Sequence, residues 1–124
     1  MISGEMMKEI IRNSYLENEN ILIVGYGKSG VKSSELAKRL GATVFVYDDN
    51  KDVEVNKKVV DKIYNNIEDI DFTNINITVL SPGVPLESDI AQKSIKSGVE
   101  TIGEIEFGFR YSYRNNTCDN RNKW

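Results

Sequence analysis

Residues 21–31 read ILIVGYGKSGV, and this stretch decides the fold. An unbroken apolar run of the kind that forms a buried strand leads directly into a Gly-x-Gly-x-x-Gly turn, and a helical pattern of apolar residues follows. The order strand, tight turn, helix is typical of the first βα unit of a dinucleotide-type fold. We therefore predict an α/β domain with a Rossmann-like, three-layer architecture and a mostly parallel sheet of about five strands.

Each glycine of the turn has its own physical reason. Gly25 allows the sharp turn after the strand, Gly27 lets the backbone approach a phosphate, and Gly30 lets the helix pack against the strand. Free N–H groups at the start of the helix would then face an anion, and Lys28 and Ser29 would add a cation and a hydroxyl there. The alternative is a turn whose glycines serve packing alone, because a single glycine pattern is a weak signal.

The rest of the chain predicts alternating strands and helices around this unit. We expect residues 1–20 to be a lead-in, with a short apolar cluster near its middle that forms a helix or a frayed arm. Residues 21–110 are predicted to form the domain and residues 111–124 a polar tail. The expected elements are a helix from 31 to a glycine cap at Gly41, a strand over 43–47, a helix over 55–62, a short strand over 63–65, a loop over 66–76, a strand over 75–80, a helix between an N-cap at Ser88 and a stop at Gly98, a strand over 99–102 and a helix from 103.

Two further strand ends carry polar groups. Asp48 and Asp49 end the second strand about 20 positions past the glycines, where a carboxylate can accept hydrogen bonds from ribose hydroxyls. For Asp48, a polar strand end or an N-cap of the next helix is an equally good interpretation. Residues 81–83, Ser-Pro-Gly, follow another buried strand and form either an ordinary turn or the second side of a site. Ligands of doubly wound sheets bind at carboxyl strand ends where the strand order reverses, so two such ends could face one ligand.

Composition narrows the function classes. The chain has 124 residues, enough for one domain, and 40% hydrophobic and 28% charged residues are ordinary for a soluble protein. A net charge of −3 argues against a general nucleic-acid binder. No apolar run could span a bilayer or act as a secretory signal, so we expect a cytoplasmic protein with no nucleic-acid, membrane or obligate protein partner. Cys118 is the only cysteine and there is no histidine, which excludes cysteine-rich and histidine metal sites and histidine triads. We expect this chain to hold a ligand, without catalytic residues, metal or cofactor of its own.

Three motifs stand in order along the chain: GYGKSG at residues 25–30, LSPGVP at 80–85 and GEIE at 103–106. In this order and at these separations they resemble the N-terminal domain of the Mur ligases of peptidoglycan synthesis, above all the D-glutamate-adding members, over residues 21–109. The resemblance implies a domain that binds the UDP part of a UDP-linked muramoyl-alanine substrate. It implies these roles: Gly25, Gly27 and Gly30 form the turn, Lys28 and Ser29 lie by the diphosphate and uridine, Asp48 and Asp49 meet the uracil or ribose, and Ser81, Pro82 and Gly83 close the other side.

The chain also departs from the family pattern. A full-length Mur ligase is expected to use ATP and Mg²⁺ in a central domain that opens with a phosphate loop of the type TGTNGKT, and this loop is absent from the 124 residues. We therefore expect this polypeptide alone to be inactive as a ligase. Codons for residues 119–124, shifted by one base, can spell Ile-Thr-Gly-Thr-Asn-Gly. We hypothesise that residues 116–124 are an out-of-frame readthrough of a truncated ligase; a natural polar C-terminus or an excised domain are the alternatives.

Two other functions stay open at this point. The glycine turn and Asp48 would serve a stand-alone regulatory module that binds NAD or an adenine nucleotide equally well. A structural fragment with no residual affinity for any nucleotide is the third interpretation.

Overall fold

A computed structural model describes residues 15–115 of the chain. Its centre is a single five-stranded sheet with the strand order β3-β2-β1-β4-β5. All four neighbouring pairs are parallel, which confirms the predicted number of strands and their direction. The strands are β1 Asn20–Val24, β2 Thr43–Tyr47, β3 Lys62–Tyr64, β4 Ile77–Leu80 and β5 Glu100–Gly103.

Within residues 15–115, three α-helices flank the sheet: α1 Lys28–Arg39, α2 Asp89–Lys96 and α3 Glu104–Asn115. Their ends follow the predicted local signals. Gly41 (φ 97°) and Gly98 (φ 82°) take the left-handed conformation just after α1 and α2, where glycine has no steric penalty. The Ser88 hydroxyl caps α2 by accepting a hydrogen bond from the backbone N–H of Ala91 at 3.4 Å.

The sheet is buried on both faces. Along β1, Ile21 and Ile23 point to one face and Leu22 and Val24 to the other, because successive side chains of a strand alternate. Helices α1 and α3 cover the first face, where Phe107 is fully buried. Helix α2 and the segment between β3 and β4 cover the second face. The predicted three-layer arrangement is confirmed.

The segment over 66–76, predicted as a loop, contains two single-turn 3-10 helices, Ile67–Asp69 and Phe72–Asn74. Its acidic side chains are exposed, as expected for a solvated loop. The prediction missed that the same segment contributes to the core of the second face. Its buried apolar residues are Ile70, Phe72 and Ile75.

The helix predicted over 55–62 is wrong, because the chain between β2 and β3 forms turns. The side-chain carbonyl of Asn50 accepts from the N–H of Asp52 at 3.0 Å. Asn56 accepts from the N–H of Lys58 at the same distance. Such local bonds satisfy the backbone in a non-helical conformation and so compete with a helix. The valines that suggested a helical face contact the first core from these turns instead: Val55, Val59 and Val60.

The predicted lead-in over 1–20 includes residues of the domain itself. Leu16 is buried in the first core, and its backbone N–H donates to the carbonyl of Leu40 at 2.8 Å. Asn20 already begins β1. The apolar cluster predicted as a short helix lies outside the described residues.

The predicted boundary at residue 110 falls inside α3, which continues to Asn115. Tyr111, assigned to the polar tail by its composition, packs against Phe107 with ring centroids 5.1 Å apart. The helix therefore extends the domain beyond the predicted limit. Residues 116–124, the subject of the frame-shift hypothesis, lie outside the described residues.

Asp61 ties the start of β3 to β2 and α1, and its ionisation should matter for stability. Its Oδ2 accepts from the N–H of Val44 at 2.8 Å and from Nζ of Lys38 at 2.5 Å. Burial alone would raise the pKa of Asp61, but the hydrogen bonds from Lys38 and Val44 and the charge of Lys38 lower it below its usual 3.8. Since folding lowers this pKa, the ionised carboxylate stabilises the fold above about pH 4, and the stabilisation is lost as the pH falls through the lower folded value.

Asp61→Asn is therefore expected to lower the free energy of unfolding at pH 7 by no more than about 1 kcal/mol, because a side chain that is 44% exposed is screened by solvent. The deficit should shrink as the pH falls through the lowered pKa of Asp61, because the parent carboxylate then also becomes neutral. Urea unfolding at several pH values measures it. A deficit of the same size at every pH at which the parent is folded would contradict the assignment.

Candidate functional site

The glycine turn lies at the middle of the carboxyl edge of the sheet. From β1 the chain builds outward through β2 to β3, and then returns to place β4 on the other side of β1. This is the topological switch point, where ligands of open α/β sheets bind. The turn after β4 lies next to the glycine turn, and Oγ of Ser81 donates to the carbonyl of Gly25 at 3.1 Å. The predicted convergence of these two strand ends is confirmed.

The three glycines of the turn differ in what the fold requires of them. Gly25 has φ 92°, a conformation that favours glycine. A Cβ on Gly30 would lie 1.9 Å from the carbonyl oxygen of Gly25, so only glycine lets α1 pack so close to the turn. A Cβ on Gly27 would meet nothing within 4 Å. The space in front of Gly27 is thus open to solvent, as an approaching phosphate would need.

Helix α1 begins without a side-chain cap. Gly27 is its N-cap residue, and its carbonyl accepts the first helical bond, from the N–H of Val31 at 2.9 Å. The first turn carries no acidic residue, while Lys28 is exposed and Ser29 half-buried there. The N–H groups of a first helical turn lack intrahelical partners and carry partial positive charge. This end of α1 is consequently suited to an anion.

Both carboxylate oxygens of Asp48 accept hydrogen bonds from backbone N–H groups. Oδ2 accepts from the N–H of Tyr26 at 3.0 Å, and Oδ1 accepts from the N–H of Asn50 at 2.9 Å. The interpretation of Asp48 as a helix N-cap is wrong, because no helix follows it, and the interpretation as a polar strand end is confirmed. Its contact with a ribose stays a prediction, as does that of the exposed Asp49.

A cavity of about 380 Å³ opens beside the glycine turn. Four of the predicted site residues line it: Gly25, Asp48, Asp49 and Gly83. Sequence reasoning missed its apolar walls, because they come from separate elements whose proximity no local pattern reveals. These missed residues are Val24, Tyr47, Ile67, Val84, Pro85 and Ile90, and the polar Ser88 and Asp89 at the start of α2 complete the lining.

The other predicted residues lie along the same edge but outside that cavity. Ser81 and Pro82 line a second hollow of about 290 Å³ between the ends of β4 and β5, together with Ile105 of α3. The lining of these two hollows does not include the α1 end of the turn, which consists of Gly27, Lys28, Ser29 and Gly30. The structure therefore brings the predicted residues to one edge without enclosing them in one cavity.

Tyr47 is one of the residues that line the cavity. Burial, and then the negative charges of Asp49 and Asp48, raise the pKa of Tyr47 above its usual 10.0. Its hydroxyl therefore keeps its proton at neutral pH and can donate to a ligand.

Comparison with known proteins adds to this geometry. Residues 19–103 match the family model described as the Mur ligase MurD-like N-terminal domain. The match includes all five strands and both turns of the candidate site. The chain belongs to this MurD-like family. The glycine turn and the Ser-Pro-Gly turn are thus two parts of one MurD-like domain.

Relatives of the MurD-like chain are much longer than it is. It is 34% identical over 104 residues to the UDP-N-acetylmuramoylalanine--D-glutamate ligase of Caldicellulosiruptor saccharolyticus, covering 77% of this chain and 23% of the relative. The corresponding ligase of a Thermoanaerobacter species is 32% identical over 105 residues, covering 78% and 23%. A solved shikimate dehydrogenase from Peptoclostridium difficile superposes with a TM-score of 0.48 at 14% identity, over 93% of this chain and 53% of its own. The MurD-like chain therefore spans less than a quarter of the length of these ligases.

The described part of the MurD-like chain offers no cluster of ligands for the Mg²⁺ expected of a full-length ligase. Between residues 15 and 115 no group of three cysteine, aspartate or glutamate side chains is arranged to hold a metal ion. The 124 residues contain no phosphate loop with its lysine.

Within the same described range, every helix is too short or too polar to cross a lipid bilayer.

Proposed function

We propose that this MurD-like domain binds the UDP part of UDP-N-acetylmuramoyl-L-alanine, as the substrate-binding domain of a D-glutamate-adding ligase, with ATP, Mg²⁺ and D-glutamate bound elsewhere in such a ligase. One observation carries the proposal. The glycine turn and the Ser-Pro-Gly turn adjoin at the switch point of the sheet, joined by the hydrogen bond from Ser81 to Gly25. The related ligases act on UDP-N-acetylmuramoylalanine by name, and this supports the substrate class. Cytoplasmic location is part of the same proposal.

The diphosphate belongs at the start of α1. The uncapped N–H groups of this helix, the open space in front of Gly27 and the exposed Lys28 together favour a negatively charged group there. The Ser29 hydroxyl can donate one further hydrogen bond. A phosphate in this position would displace no side-chain cap, since the structure has none at this helix end.

The uridine belongs in the adjoining cavity. Its titratable lining consists of Asp48, Asp49, Asp89 and the neutral Tyr47, and this charge would repel a phosphate. A neutral base is not repelled, and its flat faces suit apolar walls such as Ile67 and Val84. Ribose hydroxyls and the uracil N–H can donate to carboxylate oxygens.

The muramoyl end of the substrate would then extend out of the site alongside the Ser-Pro-Gly turn. Ser81, Pro82 and Gly83 separate the cavity from the hollow that Ile105 lines. A substrate with its diphosphate at α1 could extend from here towards the portion of the ligase that follows this domain in the relatives. Affinity for the muramoyl-alanyl part should therefore be weak in the isolated chain.

Thermal unfolding tests the proposal most directly. A ligand that binds only the folded state stabilises it by RT ln(1 + [L]/Kd), about 1.4 kcal/mol at a ligand concentration ten times Kd. For a domain of this size that corresponds to a rise in Tm of roughly 5 to 7 °C. We expect this rise with UDP and with UDP-N-acetylmuramoyl-L-alanine.

NADH and ATP at equal concentrations are the comparison ligands, and we expect neither to match UDP. Stabilisation by NADH without stabilisation by UDP would replace the proposal with the regulatory nucleotide-binding module. No shift with any of the four ligands at millimolar concentration would favour the structural fragment without affinity.

A further inference from the structure

Asp48 and Ser81 hold the two ends of the same peptide group. Oγ of Ser81 donates to the carbonyl of Gly25 at 3.1 Å, and Oδ2 of Asp48 accepts from the N–H of Tyr26 at 3.0 Å. The carbonyl of Gly25 and the N–H of Tyr26 belong to one peptide bond. We call this planar group the locked peptide. It is held by hydrogen bonds with the residue after β4 on one side and with the residue after β2 on the other.

Further contacts surround the locked peptide. The N–H of Gly25 donates to the carbonyl of Tyr47 at 2.8 Å. This bond fixes Gly25, which precedes the locked peptide, to the end of β2. The missing side chain of Gly30 leaves room for the carbonyl of Gly25, since a Cβ there would lie 1.9 Å from that oxygen. The hydroxyl of Tyr26 accepts from the N–H of Asn56 at 3.2 Å. This bond connects Tyr26, which follows the locked peptide, to the turns that precede β3.

Asp48 is itself held in place. Its backbone N–H donates to the carbonyl of Tyr64 at 3.0 Å, and its carbonyl accepts from Nδ2 of Asn65 at 2.9 Å. Its second carboxylate oxygen accepts from Asn50. The carboxylate is thus oriented by β3 and by its own turn before it meets Tyr26.

We infer that Asp48 and Ser81 are positioning residues that lock the Gly25–Tyr26 peptide and thereby aim the N–H groups at the start of α1 at the diphosphate. The inference rests on the proposed function for its ligand, but the lock itself is a property of the free domain. In this inference the two side chains orient a backbone peptide group and do not themselves bind uridine.

The physical reason is the freedom of glycine. Gly25 tolerates many combinations of φ and ψ, so the peptide that follows it can rotate unless both ends are held. A flipped peptide would turn the carbonyl of Gly25 towards the carboxylate of Asp48, and two acceptors repel each other. Asp48 therefore admits only the observed orientation, and the Ser81 hydroxyl supplies the donor that the carbonyl needs. The backbone of Gly27 and Lys28 continues from this peptide, so its orientation determines where their N–H groups point.

The experiment uses the amide of Tyr26 in the ¹⁵N-labelled, ligand-free chain together with binding of UDP and of inorganic pyrophosphate. In Asp48→Asn and in Ser81→Ala we expect the amide of Tyr26 to change chemical shift and to exchange its proton about tenfold faster relative to the amide of Ile23 within β1. Affinity for both ligands should fall about tenfold in each variant, as one lost hydrogen bond predicts. The affinity of the double variant should fall by much less than the product of the two single reductions, because both residues act on one peptide. Ser81→Thr keeps the hydroxyl and should restore both readouts.

Two variants remove similar bonds far from the turn. Asp61→Asn alters a carboxylate that accepts from a backbone N–H, and Ser97→Ala removes a hydroxyl that donates to the carbonyl of Lys93 at 2.7 Å. Both should leave the Tyr26 amide and the two affinities unchanged. These controls separate the lock from a general loss of stability.

The outcomes are distinct. An unchanged Tyr26 amide in both Asp48→Asn and Ser81→Ala would overturn the lock. A changed amide with unaltered affinities would overturn its role in aiming the diphosphate site. A parent chain that binds neither UDP nor pyrophosphate would overturn the proposed function and that role together, and the Tyr26 amide would still decide whether the peptide is locked.

Discussion

Gly30→Ala is expected to lower the free energy of unfolding by about 3 kcal/mol or more, the largest stability effect that we predict for a single methyl group in this domain. The added Cβ would lie 1.9 Å from the carbonyl oxygen and 2.9 Å from the carbonyl carbon of Gly25. These atoms are backbone and belong to the glycine turn, so no side-chain rotation can relieve the overlap. Either α1 moves away from β1 or the turn opens, and both expose core residues such as Ile23.

Chemical denaturation of parent and variant measures this effect. Gly27→Ala is the matched control, because it adds the same methyl group three residues earlier, where nothing lies within 4 Å. At this N-cap position the cost should stay below about 1 kcal/mol. Equal losses in the two variants would contradict the close packing of α1 on the glycine turn.

Gly27→Val is expected to fold and to bind UDP much more weakly, with a Kd raised roughly a hundredfold or more. Its φ of −82° is accessible to any residue, and the space in front of it is empty, so the fold itself does not require glycine there. The same space is where the diphosphate must approach the N–H groups of α1. A branched side chain would hold the phosphate away from those donors, and several charge-assisted hydrogen bonds would be lost together.

Far-UV circular dichroism and thermal unfolding would establish that Gly27→Val is folded, and calorimetric titration with UDP would give its affinity. Gly108→Val provides the control, since this glycine of α3 also has open space around its Cα and lies away from the turn. Its UDP affinity should equal that of the parent. Unaltered binding by folded Gly27→Val would place the diphosphate elsewhere and remove the main support of the proposed function.

Much of the fold follows from local sequence. The apolar run of β1, the cap at Ser88 and the left-handed glycines after α1 and α2 each act through their own neighbours, and each prediction is confirmed. The prediction fails where two local tendencies compete. The valines between β2 and β3 have helical spacing, but the side chains of Asn50 and Asn56 bond to the nearby backbone and hold it in turns.

The candidate site shows the same division. Glycines at residues 25 and 30 were correctly assigned to the turn and to helix packing, because those requirements belong to a single βα unit. Ile67, a wall of the cavity, gave no local signal, since it comes from a segment predicted as solvated loop. The contacts of residues with UDP stay predictions.

Short-range periodicity and glycine conformation are properties of neighbouring residues, and they predicted most of the strand, turn and helix units of this protein. The three ordered motifs indicated its MurD-like family. That Asp48 and Ser81, 33 residues apart, hold opposite ends of one peptide group is evident only from the folded domain. That arrangement depends on β2 and β4 lying on either side of β1 in a fixed register. Strand order and register arise from packing both faces of the sheet at once, and no local segment contains that information.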